Sequence, residues 1–409
     1  MQEPLSTEPY KGVRDFYPAD WAQLNAIFSR IRTVLGHYGY EEYSASPLER
    51  AELYEAKTSD EIVNEQTYTF IDRGERKVTL RPEMTPTLAR MIAAKRRELA
   101  LPLRWFSIPN VFRYERPQKG RLRAHYQVNV DLVGVASSEA DIEIVTLASE
   151  LLKVFGARES DFIIRVNSRA LLTKACSEAG LDAEQARAYL RLLDKKSKMP
   201  AEEFEAARAA ITPTDPLTLV DASETEAFVA ALQARGVGNA VFDPTLSRGF
   251  DYYTGIVFEI FDTDPTNPRS LFGGGRFDKL VALFGGDPIP AVGFGMGDVT
   301  LADFLETHGL MPSDTESTPE LYLGTPTPEG IPAAQAFAQM LRTEGLRVFV
   351  NLTDKSLGDQ VKDALKRGIP HFVAYGADEA AGDTVRLKIL AKSEEVSVSV
   401  AELLTRLRA

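Results

Sequence analysis

The sequence predicts an α/β protein in which an α+β domain with an antiparallel sheet carries a helical insertion and precedes a smaller mixed α/β domain. Three patterns predict this fold class. Residues 105–134 contain two β-type runs around a polar loop. Residues 168–232 follow helical spacing with few aromatic side chains, and residues 321–409 alternate short strands with helices. Together they indicate a sheet-based domain interrupted by helices, followed by a second domain.

Length and composition fit this organisation. The chain has 409 residues, 44% of them hydrophobic and 26% charged, which is enough for two or three globular domains. A polar stretch that begins near residue 310 separates two different patterns. We therefore predict a first domain at 1–312 with its insertion at about 168–236, a linker at 313–319 and a last domain at 320–409.

Composition also excludes several classes of protein. A single cysteine, Cys176, excludes an internal disulfide framework, and the four histidines are too far apart to suggest a metal site. The polar start and the lack of an apolar run of about 20 residues predict a cytoplasmic protein without a membrane span. The net charge of −12 argues against broad nucleic-acid binding but permits a local basic surface for one folded RNA.

The two β-type runs are the first candidate site. Residues 125–133 alternate apolar with polar side chains, as in a strand with two different faces. Gln127 and Asp131 on the polar face, beside Arg113, predict a floor for an anionic substrate, because a guanidinium offers a planar fork to phosphate or carboxylate. The loop between the runs carries Arg116, Lys119, Arg121 and Arg123. An amphipathic hairpin with a solvated charged turn explains the same stretch equally well.

A second candidate region lies where a strand ends and a helix begins, at Arg81-Pro-Glu-Met-Thr85. Glu83 and Thr85 are placed there to present side chains to a ligand. The simpler interpretation is that Thr85 caps the helix. By the same rule, Asp298 is predicted to cap the last helix of the domain, which Gly309 ends.

A third candidate region combines a cation, a carboxylate and two phenols at a glycine-flanked strand start. These residues are Arg248, Asp251, Tyr252 and Tyr253. Glycines follow at positions 273–275 and at 293, 295 and 297, where they either allow backbone to approach a ligand or form tight turns.

The other parts of the chain carry weaker signals. The lysine-rich residues 194–198 in the helical insertion are interpreted as a solvated face in preference to a nucleic-acid contact. The C-terminal domain shows no catalytic constellation, so we predict that it binds a partner.

Taken in order, these motifs resemble those of class II aminoacyl-tRNA synthetases, specifically the histidyl-tRNA synthetase family, over nearly the whole chain. The matches are residues 11–15 at the family's opening, 39–49 as motif 1, 81–85 as the histidine-binding segment, 112–121 as motif 2, and 248–253 and 273–278 as two histidine-specific motifs. The C-terminal domain resembles the family's anticodon-binding domain, including residues 355–362.

The resemblance implies a role for each matching residue. The implied catalytic residues are Arg113 and Arg248, on either side of the α-phosphate of ATP. The implied histidine-binding residues are Glu83, Met84, Thr85, Arg113, Gln127, Asp131, Arg248, Tyr252 and Tyr253. Those implied for ATP are Arg113, Glu115, Arg121 and Gly295, and those for tRNA are Arg116, Lys119 and Arg123. The resemblance also implies ATP with Mg²⁺, L-histidine and histidine tRNA as ligands, and a homodimer formed through motif 1.

The chain departs from the family's pattern at the nucleotide site. Thr300 stands where motif 3 of the family has an arginine for the γ-phosphate, so either Arg121 or Arg276 supplies that charge or ATP binding is weakened. Residues 124–126, Ala-His-Tyr, also differ from motif 2.

Two other functions are therefore weighed against a histidine–tRNA ligase. The first is a non-catalytic paralogue, such as the regulatory subunit of ATP phosphoribosyltransferase or a histidine sensor. The loss at Thr300 favours it, whereas Arg248, the complete histidine pocket and the C-terminal domain oppose it. The second, a generic RNA-binding α/β protein, leaves Tyr252, Tyr253 and the pocket carboxylates unexplained.

Overall fold

The computed structural model divides the chain into two compact units. One comprises residues 1–16 and 25–312, and the other comprises 17–24 and 313–409. The residues that the structure describes are 5–55, 66–196, 199–248, 252–313, 318–392 and 394–408. Asp251 of the third candidate region, with residues 249 and 250, and Lys198 of the lysine-rich run therefore lie outside the described residues.

The first unit is built on a large sheet that is mostly antiparallel, as predicted. Its strands run in the order β1-β5-β7-β12-β11-β10-β8-β9, and β6 also pairs with β7; only the outer pairs β1/β5 and β8/β9 are parallel. A separate antiparallel sheet has the order β2-β4-β3. The strands are Glu41–Glu42 (β1), Leu48–Arg50 (β2), Tyr68–Ile71 (β3), Lys77–Leu80 (β4), Leu103–Ser107 (β5), Asn110–Phe112 (β6), Ala124–Val133 (β7), Phe162–Ser168 (β8), Ala240–Phe242 (β9), Ile256–Asp262 (β10), Ser270–Arg276 (β11) and Ala291–Gly297 (β12).

Helices surround this sheet, and two of them, α4 and α9, pack on its central strands β7 and β12. The described helices are Pro18–His37 (α1), Glu52–Glu55 (α2), Thr85–Lys95 (α3), Ser138–Lys153 (α4), Arg169–Glu178 (α5), Ala183–Lys195 (α6), Ala201–Ile211 (α7), Ser223–Gln233 (α8) and Asp298–Thr307 (α9), with single 3-10 turns at Pro216–Leu219 and Val281–Phe284. Helix α1 is amphipathic, and it buries the side chains of Ile27, Ile31 and Leu35.

The predicted hairpin at residues 105–134 needs one correction. Its first run is not a single strand but two, β5 and β6, which both pair with β7. Pro109 lies at the break and has no N–H to donate, so the ladder is interrupted there. The chain remains attached to β7 because the Gln127 N–H donates to the Pro109 carbonyl at 3.0 Å.

Helices α5 to α7 of the insertion have their own small core. It is formed by the fully or almost fully buried side chains of Leu172, Cys176, Tyr189, Leu193 and Phe204. Helix α6 begins with a capping box, in which the Asp182 carboxylate accepts the Gln185 N–H at 2.9 Å. Because Cys176 belongs to this core and burial raises its thiol pKa to about 11, the single cysteine has a packing role.

The second unit contains a five-stranded mixed sheet in the order β14-β13-β15-β16-β17, which confirms the predicted mixed α/β pattern. Its first three strands are parallel, and the last two add in antiparallel fashion. The strands are Leu321–Gly324 (β13), Val348–Val350 (β14), His371–Ala374 (β15), Thr384–Ile389 (β16) and Glu394–Ser399 (β17). The helices are Ile331–Thr343 (α10), Leu357–Lys366 (α11), Ala377–Ala381 (α12) and Val400–Arg408 (α13), with a 3-10 turn at Pro328–Gly330.

Candidate active site

The three candidate regions meet at one cavity of about 270 Å³, which we call the central cavity. Strand β7 forms its floor, and α3, β11, β12 and the segment before β10 supply its walls. The predicted site residues that line it are Glu83, Thr85, Arg113, Glu115, Arg121, Gln127, Asp131, Arg248, Tyr252, Tyr253 and Gly295. Glu83 and Tyr252, which are 169 positions apart in sequence, are thus brought into contact in this cavity.

The floor depends on glycines in the neighbouring strand. Gln127 and Asp131 lie on one face of β7, and in the ladder with β12 Asp131 is opposite Gly293. A Cβ atom at Gly293 would overlap the Asp131 carboxylate, and one at Gly295 would lie 3.0 Å from the Gln127 side chain. Neither glycine has a positive φ. The two glycines therefore leave space for the polar side chains of Asp131 and Gln127. The alternative interpretation, a tight turn, is excluded at these two positions.

Asn129 is a floor residue that the sequence analysis did not select. It lies between Gln127 and Asp131 on the same polar face, and its amide donates to the Gln127 carbonyl at 3.0 Å. The alternation that selected its two neighbours would have found it too.

Asp131 is one of two deeply buried acids in the described lining of the cavity, together with Glu83. Burial raises the pKa of Asp131 to about 8, because the charged form is poorly solvated there. No described residue forms a hydrogen bond with this carboxyl group or pairs with it as an ion. A ligand that brings a donor or a positive charge to Asp131 therefore gains a partner that the protein has left available.

A carboxylate and two phenols form the opposite wall. The Tyr252 hydroxyl donates to the Glu83 carboxylate at 3.0 Å, and both groups are buried. The Tyr252 and Tyr253 rings contact each other with centroids 4.9 Å apart. Burial raises the pKa of both phenols, so they remain neutral hydrogen-bonding groups at physiological pH. Glu83 is held in place as an acceptor for a cationic group.

Two arginines reach the same cavity from different elements. Arg248 donates to the Glu259 carboxylate at 3.0 Å, and its Nε–H is buried without a hydrogen-bond partner among the described residues. A Cβ atom at Gly273 would overlap the Arg248 guanidinium, so this glycine too provides space for a polar side chain. Arg113 donates from Nε to the Pro82 carbonyl at 2.9 Å and has no ion-pair partner among the described residues. Both side chains therefore retain N–H donors for an anionic ligand.

The turn before α3 is fixed by a different arginine. The Arg81 guanidinium donates to the carbonyls of Ala45 and Asn110 at 2.7 and 3.0 Å. Met84 is fully buried with its sulfur 3.8 Å from Arg81 Nη1, and it does not line the central cavity. Thr85 is the first residue of α3 and not its cap, since Met84 occupies the cap position. The capping interpretation of Thr85 is thus wrong, and its side chain lines the cavity instead.

The expected cap at Asp298 is also wrong. Asp298 is already inside α9, after a cap residue at Gly297. Its carboxylate accepts the Tyr126 N–H at 2.9 Å and an Arg14 N–H at 2.6 Å, which ties α9 to β7 and to the N-terminal segment.

The structure separates the four loop cations. Arg121 lines the central cavity and lies 3.4 Å from the Glu115 carboxylate, whereas Arg116 is exposed outside it. Arg123 lies over the Tyr114 ring at 4.1 Å and donates to the Glu115 carbonyl, so it holds the loop together. Lys119 lines a second, adjacent cavity.

Arg121 and Arg276 are the two candidates from the sequence for the positive charge that is missing at Thr300. The structure decides between these two arginines. Arg276 is bound to the buried Asp141 carboxylate through Nε at 3.0 Å and does not line the central cavity, so it does not supply the missing charge. Thr300 lines the cavity, and its hydroxyl donates to the Leu271 carbonyl at 2.6 Å. Arg121 remains as a cation on this side.

His125 lines the same side of the cavity. Burial, with the charges of Arg113 and Arg14, lowers its pKa to about 3, so the imidazole is neutral. Its Nδ1 accepts no hydrogen bond from the described residues. His125, one of the residues that depart from motif 2, is therefore an uncharged polar ring in the cavity wall.

Comparisons with known proteins agree on one family. The family profile described as histidyl-tRNA synthetase matches residues 12–214 and 198–299, and a profile described as anticodon binding domain matches 321–409. The chain is similar to the histidine–tRNA ligase of Leptospira biflexa, with 41% identity over 100% of this chain and 98% of the relative. It is 38% identical to the histidine–tRNA ligase of Opitutus terrae over 95% and 94% of the two chains. Its fold is similar to that of the histidyl-tRNA synthetase from Nostoc sp., with a TM-score of 0.78, 24% identity and 99% coverage of both chains.

Proposed function

The chain belongs to the histidyl-tRNA synthetase family, and we propose that it activates L-histidine with ATP and then transfers histidine to the 3′ end of histidine tRNA. One observation carries this proposal. The central cavity combines buried acceptors for a cationic amino acid, Glu83 and Asp131, with two arginines that have free donors, Arg113 and Arg248. Adenylate formation needs both features in one place.

In the first step a carboxylate oxygen of histidine attacks the α-phosphorus of ATP. The bond from that phosphorus to the bridging oxygen breaks, and pyrophosphate leaves with the electron pair. Two anions must approach each other, and negative charge builds on the phosphoryl oxygens in the transition state. We assign Arg113 and Arg248 to this charge, because fixed cations in a partly buried site stabilise it without reorganisation.

In the second step a ribose hydroxyl at the 3′ end of the tRNA attacks the carbonyl carbon of histidyl adenylate, and AMP leaves. The exposed cations Arg116 and Lys119 are proposed to contact the tRNA near its acceptor end. Arg123, which holds the loop together, is assigned to the same surface. Residues 321–409 would bind the anticodon, as the matching profile suggests.

We call Glu83, Gln127, Asp131 and Tyr252 the histidine side of the central cavity. Glu83 is proposed to accept the ammonium group, with Thr85 beside it, while Gln127, Asp131 and the two tyrosines surround the imidazole. An apolar amino acid of similar size would leave the buried Asp131 and the half-buried Gln127 without partners, which penalises it strongly.

We call Glu115, Arg121 and Thr300 the phosphate side, and Gly295 lies between the two sides. We propose that Mg²⁺ accompanies the phosphates of ATP. Glu115 is the residue whose chemistry fits the ion, since it is a carboxylate in the lining of the cavity, with its Oε2 3.4 Å from the Arg121 guanidinium. The ion would supply charge neutralisation to the phosphates, and Arg121 would act beside it.

We also propose a cytoplasmic homodimer. The small sheet of β2, β4 and β3, which follows motif 1, leaves Leu48, Phe70 and Ile71 substantially exposed, as a subunit interface would. Among the described residues no helix is both long and apolar enough to cross a membrane.

The alternative, a non-catalytic regulatory or sensing paralogue, is less supported. Thr300 favours it, but relatives of full length are histidine–tRNA ligases, and the chain retains both arginines and the anticodon-binding match.

ATP–pyrophosphate exchange with each of the twenty amino acids tests the proposal. Exchange with histidine alone, together with charging of histidine tRNA, is the expected result. Absence of exchange with any amino acid, in protein shown to be folded by circular dichroism, would overturn it. Co-purification with a phosphoribosyltransferase subunit would then favour the paralogue.

A further inference from the structure

A second cavity of about 400 Å³ adjoins the phosphate side. It shares Gly120, Leu271 and Thr300 with the central cavity. Its remaining lining comes from two loops, one within motif 2 and one before β11, and from helix α9. The lining side chains include Lys119, Arg269 and Asp303.

The two cations of this second cavity are held in place without being neutralised. Arg269 donates to the Gln118 side chain at 2.8 Å and to the Lys119 carbonyl at 3.3 Å, and Lys119 Nζ donates to the Thr266 carbonyl at 3.3 Å. Neither cation forms an ion pair within 4 Å in the part of the chain that the structure describes. Against them stands a single carboxylate, Asp303, so the lining has a net positive charge.

The loop that carries Arg269 is anchored by a buried network. The Asn267 amide donates to Asp262 at 2.8 Å and to the Thr307 hydroxyl at 2.9 Å. His308 Nε2 lies 2.8 Å from the other oxygen of Asp262. Arg269 thus projects from a segment that α9 fixes at two points, which is the preorganisation that an anion site needs.

Thr300 borders both cavities, at the position where the family's arginine would stand. Its side chain is short, and its hydroxyl is committed to the Leu271 carbonyl. Position 300 carries no positive charge, but Arg269 and Lys119 supply positive charge in the second cavity, which Thr300 also lines.

We infer that Arg269, assisted by Lys119, binds the β- and γ-phosphates of ATP and the departing pyrophosphate in the second cavity, in place of the missing motif 3 arginine. This inference rests on the proposed function, because it names the residues that complete its phosphate side. The chemistry is that of a guanidinium and an ammonium on a diphosphate, which arginine binds in a forked geometry.

Pyrophosphate exchange with the Arg269→Ala variant tests this assignment. The loss of a charged hydrogen-bond donor is expected to raise KM for ATP about tenfold or more. KM for histidine should stay within about twofold, since the histidine side is untouched. Arg269→Lys keeps the charge and should recover part of the loss. The matched control is Arg235→Ala, which removes an exposed arginine paired with Glu139 at 2.9 Å and should leave exchange unchanged.

A double variant that moves the positive charge from position 269 to position 300 is a more specific test. Adding Thr300→Arg to Arg269→Ala should lower KM for ATP again, because it returns a cation to the wall shared by the two cavities. An unchanged KM for ATP in Arg269→Ala would overturn the inference. So would a defect confined to KM for tRNA in the charging reaction, which would assign Arg269 to tRNA phosphate. If the wild-type protein shows no exchange, the proposed function itself fails, and the two failures are thus distinct.

Discussion

The histidine side of the central cavity is made mainly of strand residues and buried side chains, whereas the phosphate side and the adjoining second cavity carry their cations on exposed loops. Asp131 and Gln127 are fixed by the ladder between β7 and β12, and Glu83 by its contact with Tyr252. Lys119 and Arg269, in contrast, depend on loop contacts with backbone carbonyls and one amide. Recognition of a particular amino acid needs exact buried partners, while a triphosphate can be bound by several arrangements of positive charge. The phosphate side can therefore change its residues and keep its chemistry.

The largest expected effect comes from Arg248, which is assigned to the charge on the α-phosphate of ATP. Arg248→Ala should lower the rate of pyrophosphate exchange by about 100-fold or more, because a cation at the developing charge of the transition state is lost. Its effect on folding should be modest, since Arg248 lies at the cavity wall; thermal unfolding checks this. Exchange close to that of the wild type would refute the catalytic role of Arg248.

Glu83→Gln is expected to break the histidine side alone. The amide still accepts the Tyr252 hydroxyl but no longer offers a negative charge to the ammonium group. KM for histidine should rise by about tenfold or more, and KM for ATP should change little. A parallel rise in both constants would contradict the division into two sides.

Both variants change residues that could be predicted from the sequence, because the patterns that identify such residues are local. Period-two alternation marked Gln127 and Asp131, and the strand-to-helix turn marked Glu83, since both signals are local. The break between β5 and β6 is also a local signal, because Pro109 has no N–H to donate. Gly293 could not be assigned to Asp131 from sequence, because their proximity is a matter of strand register. Arg269 gave no signal, since its position depends on Gln118, which is 151 residues away.

Asp131 gives a pH-dependent test of burial on the histidine side. Its pKa is raised to about 8, above the value of about 3.9 in an unfolded chain. Below pH 4 both states hold the proton. Between about 4 and 8 only the native state does, so the contribution of this group to stability falls as the pH rises and is lost above pH 8. Asp131→Asn should therefore be more stable than the wild type at pH 9 by about 1 kcal/mol or more, and should gain little at pH 5.

Urea unfolding of the wild type and of Asp131→Asn at both pH values measures this difference in stability. The other titrating groups are the same in both proteins, so their contributions cancel. The same substitution at Asp303, in the second cavity that adjoins the phosphate side, is the control. Burial also raises the pKa of Asp303, but the charges of Lys119 and Arg14 oppose the shift, so its pH-dependent gain should be smaller. An equal gain at both positions would show that the two sides do not differ in how they bury charge.

The smallest effect is expected where the sequence departs most from the family. Thr300→Arg in the otherwise unchanged protein should alter KM for ATP by less than about threefold, because Arg269 and Lys119 already supply positive charge there. The substitution also removes the hydroxyl bond to the Leu271 carbonyl, so Thr300→Val, which removes only that bond, is measured beside it. A large fall in KM for ATP with Arg, absent with Val, would show that the phosphate side lacks a cation. An unchanged KM instead means that the site has moved its charge to a neighbouring loop, which is how the two sides can evolve separately.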